Sequence, residues 1–178
     1  MNFDSGVILT TKRLTLRPFE EDDAADVAEA VKDAEIRRWM AWAPDHTPAQ
    51  ARDWCMVHAH AGPEDQVNFA IVANGRCSGA IGLNRVSWST GRVEIGYWVA
   101  PWARRRGYAV EATSAVAAYA FEKGLHRVEL LAATGNAPSQ RVAERAGFTR
   151  EGVLREVLVV PGGRADGVLF SLLRGDLR

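Results

Sequence analysis

A strand, a helix and a second strand follow one another between residues 92 and 133, and this order constrains the fold more than any other feature. Polar and apolar side chains alternate in Arg92–Val99, which is typical of a strand. Small side chains then recur at helical spacing from Gly107 to about Lys123, and His126–Ala133 is again strand-like. Two strands joined through a helix lie parallel, with a right-handed crossover. The sequence therefore predicts one parallel pair at the centre of a sheet.

The rest of the chain adds elements that favour antiparallel pairing. Further strands are predicted at Arg13–Arg17, Val67–Ala73, Ser78–Val86, Phe148–Val159 and Arg164–Leu173. Asn74-Gly75 is a hairpin signal between two of them. Helices are predicted from Glu20 to Val31, from Thr47 onwards with an apolar stripe of Ala51, Trp54, Cys55 and His58, and over Asn136–Ala146. With 178 residues, we expect one mixed α/β domain spanning 1–178, mostly antiparallel with one central parallel crossover.

Composition excludes several classes of function. Basic and acidic residues number 22 each, so the zero net charge does not suggest nucleic-acid binding. No apolar stretch approaches the ~18 residues of a membrane span, and the start of the chain does not resemble a signal peptide. Cys55 and Cys77 are expected to be buried apolar residues, and His58-x-His60 lacks the spacing of metal ligands on a helix. We therefore expect a cytoplasmic protein without a metal.

The turn between the first central strand and the helix has the composition of an anion site. Arg104, Arg105 and Arg106 precede Gly107, where the helix is predicted to begin. A helix start offers unpaired N–H groups and partial positive charge, and glycine allows a ligand to approach the backbone closely. This arrangement favours a phosphate or diphosphate site. The alternative from these residues alone is a solvated, charged turn.

The segment around this turn resembles the acetyl-CoA pyrophosphate loop of the GNAT N-acetyltransferases, especially the subgroup that acetylates the N-termini of ribosomal proteins. The matching segments, in order, are Arg13–Arg17, Tyr97–Ala112, Asn136–Ser139, Glu144–Phe148 with Glu151-Gly152, and Asp166 with Leu172-Leu173. The resemblance spans nearly the whole chain. It implies a single GNAT-like domain with splayed central strands and helices on both faces.

The resemblance also implies a set of ligands and partners. Acetyl-CoA would be the cofactor, with its diphosphate on the loop amides and its pantetheine arm paired with an exposed strand edge at the splay. The implied cofactor-binding residues are Trp98, Val99, Arg104, Arg105, Arg106, Gly107, Tyr108, Ala109, Asn136 and Ser139. The acceptor would be a protein N-terminus or a small amine, and the chain is a possible homodimer. Tyr108 has packing as its alternative role.

Glu94 is the predicted catalytic base. It lies mid-strand, on the face opposite Val93 and Ile95 and five residues before the expected splay at Val99. A carboxylate on a mostly apolar strand has a raised pKa, which suits a base that works near neutrality. The family resemblance agrees, since a glutamate on this strand often acts through water. The alternative is an ion pair with a neighbour such as Arg92 or Arg127.

Ser139 and Asn136 have two interpretations each. Ser139 matches the serine of the family's Asn-x-x-Ser motif, which implies that it donates a proton or a hydrogen bond to the leaving thiolate. Its alternative is an ordinary residue in the first turn of a helix. Asn136 is implied to contact the pantetheine, or else serves as the N-cap of that helix.

Trp39, Met40 and Trp42 are predicted to form one wall of the acceptor pocket together with Glu94. Residues 160–164 would form another wall. The alternative for the three large side chains is core or lid packing. Besides acetyl transfer, the sequence leaves open a non-catalytic acyl-CoA-binding module. A small amine such as an antibiotic or polyamine also remains open as the acceptor.

Overall fold

The computed structural model describes residues 3–4, 6–40, 47–60 and 66–176. Their strands form one sheet in the spatial order β1-β2-β3-β4-β5-β6-β8-β7. The strands are β1 Leu9–Thr10, β2 Thr15–Arg17, β3 Val67–Ala73, β4 Arg76–Ser87, β5 Arg92–Val99, β6 Arg127–Ala133, β7 Thr149–Val160 and β8 Gly163–Leu173. The helices are α1 Ala24–Ala30, α2 Ala34–Trp39, α3 Pro48–Met56, α4 Tyr108–Glu122 and α5 Ala137–Arg145.

The central strands β5 and β6 diverge, as predicted. They are parallel, and their register runs only from Arg92 opposite Arg127 to Glu94 opposite Glu129. Beyond this point β6 continues to pair with β8 on its other side, and β5 with β4. Among the described residues, the facing edge of β5 after Glu94 therefore has no sheet partner. The other pairings are antiparallel, which confirms the mixed fold class.

Each face of the sheet carries its own hydrophobic core. On one face, Val93 and Ile95 pack in a cluster that includes Val116 of α4 and Ala143 of α5. On the other face, Trp98 packs in a cluster with residues of α1, α2 and α3. The alternation predicted for β5 is therefore confirmed, and helices cover both faces.

At four places the structure differs from what the sequence predicts. The sequence analysis missed β1 and α2, because two and six residues are too few to show a periodic pattern. The predicted strand at Arg13 begins only at Thr15, since a turn closed by the N–H of Thr11 and the carbonyl of Leu14 comes first. His58 does not join the apolar stripe of α3, because the helix ends at Met56 and leaves His58 exposed.

An ion-pair network joins β6, β7 and β8 and predicts how stability depends on pH. Arg127 donates two hydrogen bonds to Glu151, at 2.8 and 2.6 Å, and these hydrogen bonds lower the pKa of Glu151 from 4.5 to about 2. The stabilisation is present above pH 4.5 and is lost as pH falls toward 2. We expect the free energy of unfolding to decrease over this range, and to decrease less in Glu151→Gln. Denaturant titrations at several pH values measure this, and identical pH dependence in the two proteins would contradict it.

Candidate active site

A cavity of about 780 Å³ opens where β5 and β6 diverge. Its walls come from α2, the end of β5, the turn into α4 with the first residues of that helix, and one side of α5 with the residues just before it. They consist of Glu35, Ile36, Trp39, Met40, Tyr97, Trp98, Val99, Ala103, Arg104, Arg105, Gly107, Tyr108, Ala109, Val110, Asn136, Pro138, Ser139, Arg141, Val142 and Arg145. The predicted cofactor-binding residues therefore line one cavity, with the exception of Arg106.

The backbone of the turn before α4 leaves amide groups free to meet a ligand. Pro101–Ala103 forms a short 3-10 helix, and Arg105 and Gly107 then adopt left-handed conformations with φ of +61° and +79°. Gly107 is the N-cap of α4, and among the described residues no side chain caps this helix start. The first N–H groups of an α-helix have no partner within the helix. Those of α4 therefore remain available at a cavity wall.

The three arginines of the turn have three different roles. Arg104 pairs with Asp33 at the start of α2 and donates from Nε to the carbonyl of Val99 at 3.3 Å. Its guanidinium therefore ties α2 to the end of β5. Arg105 is exposed at the cavity, whereas Arg106 lies outside the cavity wall. The alternative interpretation of this segment as a solvated, charged turn is thus correct in part, because Arg105 and Arg106 are exposed.

Two further arginines, which the sequence analysis did not single out, line the cavity from α5. Arg141 and Arg145 are four residues apart, so they lie on the same side of the helix. Together with Arg105 they place positive charge around a cavity whose wall has Glu35 as its acidic residue. This charge favours an anionic ligand. The helical spacing was visible in the sequence, but only the packing of α5 shows which side of it faces the cavity.

Glu94 lies at the last paired position of β5 before the strands diverge. A bulge between Asn84 and Ser87 in β4, with Arg85 at φ of +52°, brings Nη1 of Arg85 within 3.4 Å of Oε2 of Glu94. Burial raises the pKa of Glu94, Arg85 opposes this effect, and Glu129 adds to it. Glu94 is therefore a partly buried carboxylate where the strands begin to diverge, and it is not among the residues that line the cavity, although the sequence analysis placed it in the acceptor wall. Its alternative role as an ion pair has support, although the partner is Arg85 rather than Arg92 or Arg127.

The groups around Glu94 predict two opposite shifts in a pH profile. Catalysis by a base is lost as pH falls through the pKa of that base. Arg85→Gln removes the neighbour that lowers the pKa of Glu94, so the acidic limb of kcat/KM should move to higher pH. Glu129→Gln removes the neighbour that raises it, so the limb should move to lower pH. Both variants and the unsubstituted protein are measured with the same acceptor amine, so the ionisation of the acceptor affects every profile equally. Shifts of the same sign in the two variants would contradict the assignment of Glu94 as the base.

Tyr97 and Ser139 form a partly buried polar pair that was not predicted. Their hydroxyl oxygens lie 3.0 Å apart, and burial raises the pKa of Tyr97 to about 12. Tyr97 therefore remains a neutral hydroxyl next to Ser139. Asn136 accepts a hydrogen bond from the N–H of Ser139 at 3.2 Å, so it is the N-cap of α5 and also lines the cavity. The alternation of β5 indicated the face on which Tyr97 lies, but not its partner.

Trp39 and Met40 also line the cavity, so part of the predicted acceptor wall is present. The indole of Trp39 reaches the turn after β6, where its Cη2 atom lies 3.2 Å from the position that a Cβ on Gly135 would occupy. A glycine at this turn therefore permits the close approach of Trp39. Trp42 lies outside the described residues, and residues 160–164 are not part of this cavity wall.

Comparison with known proteins decides the family. The family model described as an acetyltransferase (GNAT) domain matches residues 13–149, which is most of the chain. The chain belongs to the GNAT family. This GNAT chain is an N-acetyltransferase, an acyltransferase, and its eight-stranded sheet with one parallel pair is the GNAT fold.

Relatives and solved structures place the chain more narrowly. It is 32% identical to an uncharacterised N-acetyltransferase, p20, of Bacillus licheniformis, over 94% of this chain and 97% of that protein. It is 31% identical, over 93% of each chain, to the Bacillus subtilis protein YdaF, which is provisionally named a ribosomal N-acetyltransferase. The structure of RimJ from Mycobacterium smegmatis, in complex with CoA-disulfide, has a TM-score of 0.88 and 26% identity, and covers 99% of this chain and 92% of that one. The resemblance to the ribosomal-protein acetyltransferases is thus confirmed.

The described residues contain neither a cluster of metal ligands nor a membrane-spanning helix. Within the described ranges, no three His, Cys, Asp or Glu side chains come together as metal ligands. In the same ranges, no helix has both the length and the apolar character that a bilayer crossing requires.

Proposed function

We propose that this GNAT protein transfers the acetyl group of acetyl-CoA to a primary amine, in particular the N-terminus of a protein or peptide. The observation that carries the proposal is a single cavity that joins a basic, amide-rich turn to an unpaired strand edge. CoA has the matching parts, namely an anionic diphosphate and an amide-containing arm. The RimJ structure with CoA-disulfide supports the same choice of ligand.

The unpaired edge of β5 has the polarity that the pantetheine arm requires. The N–H of Ala100 donates to the carbonyl of Ser78 at 2.9 Å, on the β4 side. Backbone N–H groups alternate between the two edges of an extended strand, so the N–H of Val99 points toward the open edge. In the proposed complex the amides of the arm pair with this edge, as an added strand does. The same N–H group is the proposed donor to the oxyanion.

The proposed chemistry uses Glu94 as the base and Ser139 as the hydroxyl near sulfur. The acceptor ammonium loses a proton to Glu94 through water, and the neutral nitrogen attacks the thioester carbon. The attacking nitrogen then gives up its second excess proton as the bond between this carbon and sulfur breaks, and the leaving thiolate takes up a proton, so that the products are a neutral amide and a thiol. Ser139 donates a hydrogen bond to the sulfur while Tyr97 donates one to Ser139, which compensates for the weak acidity of a serine hydroxyl.

A panel of acceptors tests the proposed function. The protein is incubated with acetyl-CoA and with peptides that have free N-termini, N-blocked peptides that contain lysine, polyamines and aminoglycosides. Release of free thiol gives the rate, and mass spectrometry gives the acetylated atom. We expect turnover on free N-termini. Turnover confined to the small amines would contradict the peptide acceptor, and tight CoA binding without turnover would indicate an acyl-CoA-binding module.

Ser139→Ala is expected to lower kcat by about tenfold, the effect of one lost hydrogen bond to a charged sulfur. Tyr97→Phe keeps the ring packing and removes the hydroxyl that supports Ser139, so we expect a decrease of about threefold. The KM for acetyl-CoA should change less than kcat in both variants. Steady-state kinetics with one peptide acceptor measure these effects. An unchanged kcat in Ser139→Ala would rule out a role at the sulfur.

A further inference from the structure

Glu111 and Arg13 form an ion pair beside the turn into α4 that the proposed chemistry does not use. Nε and Nη2 of Arg13 lie 2.7 and 2.6 Å from Oε2 of Glu111. Oε1 of the same carboxylate accepts from the backbone N–H of Arg13 at 2.9 Å and from the hydroxyl of Thr11 at 2.6 Å. Both carboxylate oxygens are therefore engaged. The pair anchors the turn before β2 to the first turn of α4.

The remaining nitrogen of Arg13 reaches into the turn itself. Nη1 donates to the carbonyl of Arg106 at 2.7 Å, and the guanidinium lies 5.1 Å from the ring centroid of Tyr108. A peptide unit is planar and trans, so the carbonyl of Arg106 and the N–H of Gly107 point in opposite directions. Because Arg13 holds the carbonyl, the N–H of Gly107 is turned away from Arg13. Gly107 lines the cavity and Arg106 does not, which agrees with this orientation.

The charge of Glu111 gives Arg13 a second effect. A carboxylate in the first turn of α4 repels an anion bound at the start of that helix. The two hydrogen-bond donors on Arg13 and its positive charge neutralise Glu111 at this position. Burial alone raises the pKa of Glu111, and the hydrogen bonds from Thr11 and Arg13 reverse this effect. Glu111 is therefore ionised and needs a partner.

We propose that Arg13 is a positioning residue for the cofactor turn. Held by Glu111, it fixes the Arg106–Gly107 peptide with the N–H of Gly107 facing the diphosphate of acetyl-CoA, and it cancels the carboxylate charge next to that anion. The inference rests on the proposed function, because it assumes that CoA binds at this turn.

Three variants separate the effect of Arg13 on the orientation of the turn from the effect of the charges of Arg13 and Glu111. We expect Arg13→Gln to weaken CoA binding about 30-fold, because it releases the peptide and leaves the Glu111 carboxylate without a positive partner. Glu111→Gln loosens Arg13 but keeps its positive charge near the diphosphate, so we expect a smaller loss of about threefold. The double variant should bind more tightly than Arg13→Gln, with a loss of about tenfold, because removing the carboxylate charge restores part of the affinity. Calorimetric titration with CoA measures all three.

Arg76→Gln is the matched control. The Arg76 side chain is 46% exposed, against 45% for Arg13, and it pairs with Asp26 as Arg13 pairs with Glu111. It also stacks on Trp102, at 3.9 Å from the ring centroid. Neither Asp26 nor Trp102 lines the cavity. We therefore expect Arg76→Gln to bind CoA within twofold of the unsubstituted protein.

Kinetics distinguish a positioning role from a role in folding alone. In Arg13→Gln the KM for acetyl-CoA should rise, while kcat and the KM for the acceptor remain within about twofold. If Arg13→Gln does not fold, as judged by circular dichroism, Arg13→Lys takes its place, since it keeps the charge and loses the two-pronged contact. CoA binding by the folded variant within twofold of the unsubstituted protein would overturn the proposal. So would a double variant that binds CoA more weakly than the single Arg13 variant. Failure of the unsubstituted protein to bind CoA would instead overturn the proposed function.

Discussion

Glu94→Gln is expected to lower kcat by about 10²- to 10³-fold, the lower part of the ~10²- to 10⁴-fold range that a positioned general base contributes to a rate. Glutamine has nearly the same shape as glutamate and cannot accept the proton of an ammonium. Glu94 is not among the residues that line the cavity, so CoA affinity should change by less than twofold. The loss should therefore appear in kcat, with acetyl-CoA KM preserved. Rates of thiol release with a peptide acceptor measure it.

Glu129→Gln is the control for Glu94→Gln. Both carboxylates lie on neighbouring strands at the same rung, but Glu129 is bound by Nε of Arg127 at 2.7 Å. We expect Glu129→Gln to alter the pH profile and to keep most of the rate at its new optimum. Equal losses of kcat in both variants at every pH would mean that the two carboxylates together, rather than Glu94 alone, are needed for the rate. A kcat for Glu94→Gln close to that of the unsubstituted protein would exclude Glu94 as the base.

Gly107→Val should produce the second large effect, a loss of CoA affinity of about 100-fold. At a φ of +79° a β-branched residue is strongly disfavoured, so the turn must change shape. A Cβ at this position would also lie 3.3 Å from Nη2 of Arg13, so the guanidinium that holds the turn must shift by a few tenths of an ångström. The amides at the start of α4 would then lose their common orientation. Titration with CoA measures the loss.

Gly124→Val separates strain from function in this experiment. Gly124 follows the other end of α4, has a φ of +89°, and has open space where a Cβ would be. Both substitutions force an L-residue into the left-handed region, and both should lower the melting temperature. Only Gly107→Val should weaken CoA binding. Equal CoA affinities for the two variants would mean that the turn does not hold the cofactor.

Local chemistry made much of this fold predictable. Asn74-Gly75 marks a hairpin because both residues tolerate positive φ, and the structure gives them φ of 52° and 74°. The crossover through α4 follows from the order of two strands and one helix. The start of α4 follows from Gly107 and the basic turn before it. Each of these signals is carried by residues that are adjacent in the sequence.

Contacts between distant segments could not be predicted in the same way. Tyr97 and Ser139 are 42 positions apart, and they meet only because β5 leaves β6 and turns its edge toward α5. Arg104 belongs to a run of three arginines, and nothing in that run indicates that Asp33 lies within reach of it. Such partners depend on how the elements pack. The sequence therefore indicated the kind of site more completely than the role of each side chain in it.

Only three rungs of backbone pairing join β5 to β6, and this shortness has a mechanical consequence. The strands from β1 to β5 form one part of the sheet and those from β6 to β8 form the other, and α4 is the crossover between them. A molecule whose own amides pair with both strands across the gap would act as an added strand and connect the two parts of the sheet. In the proposed complex, CoA binding would therefore be coupled to the rigidity of the sheet, and release of CoA would separate its two parts again.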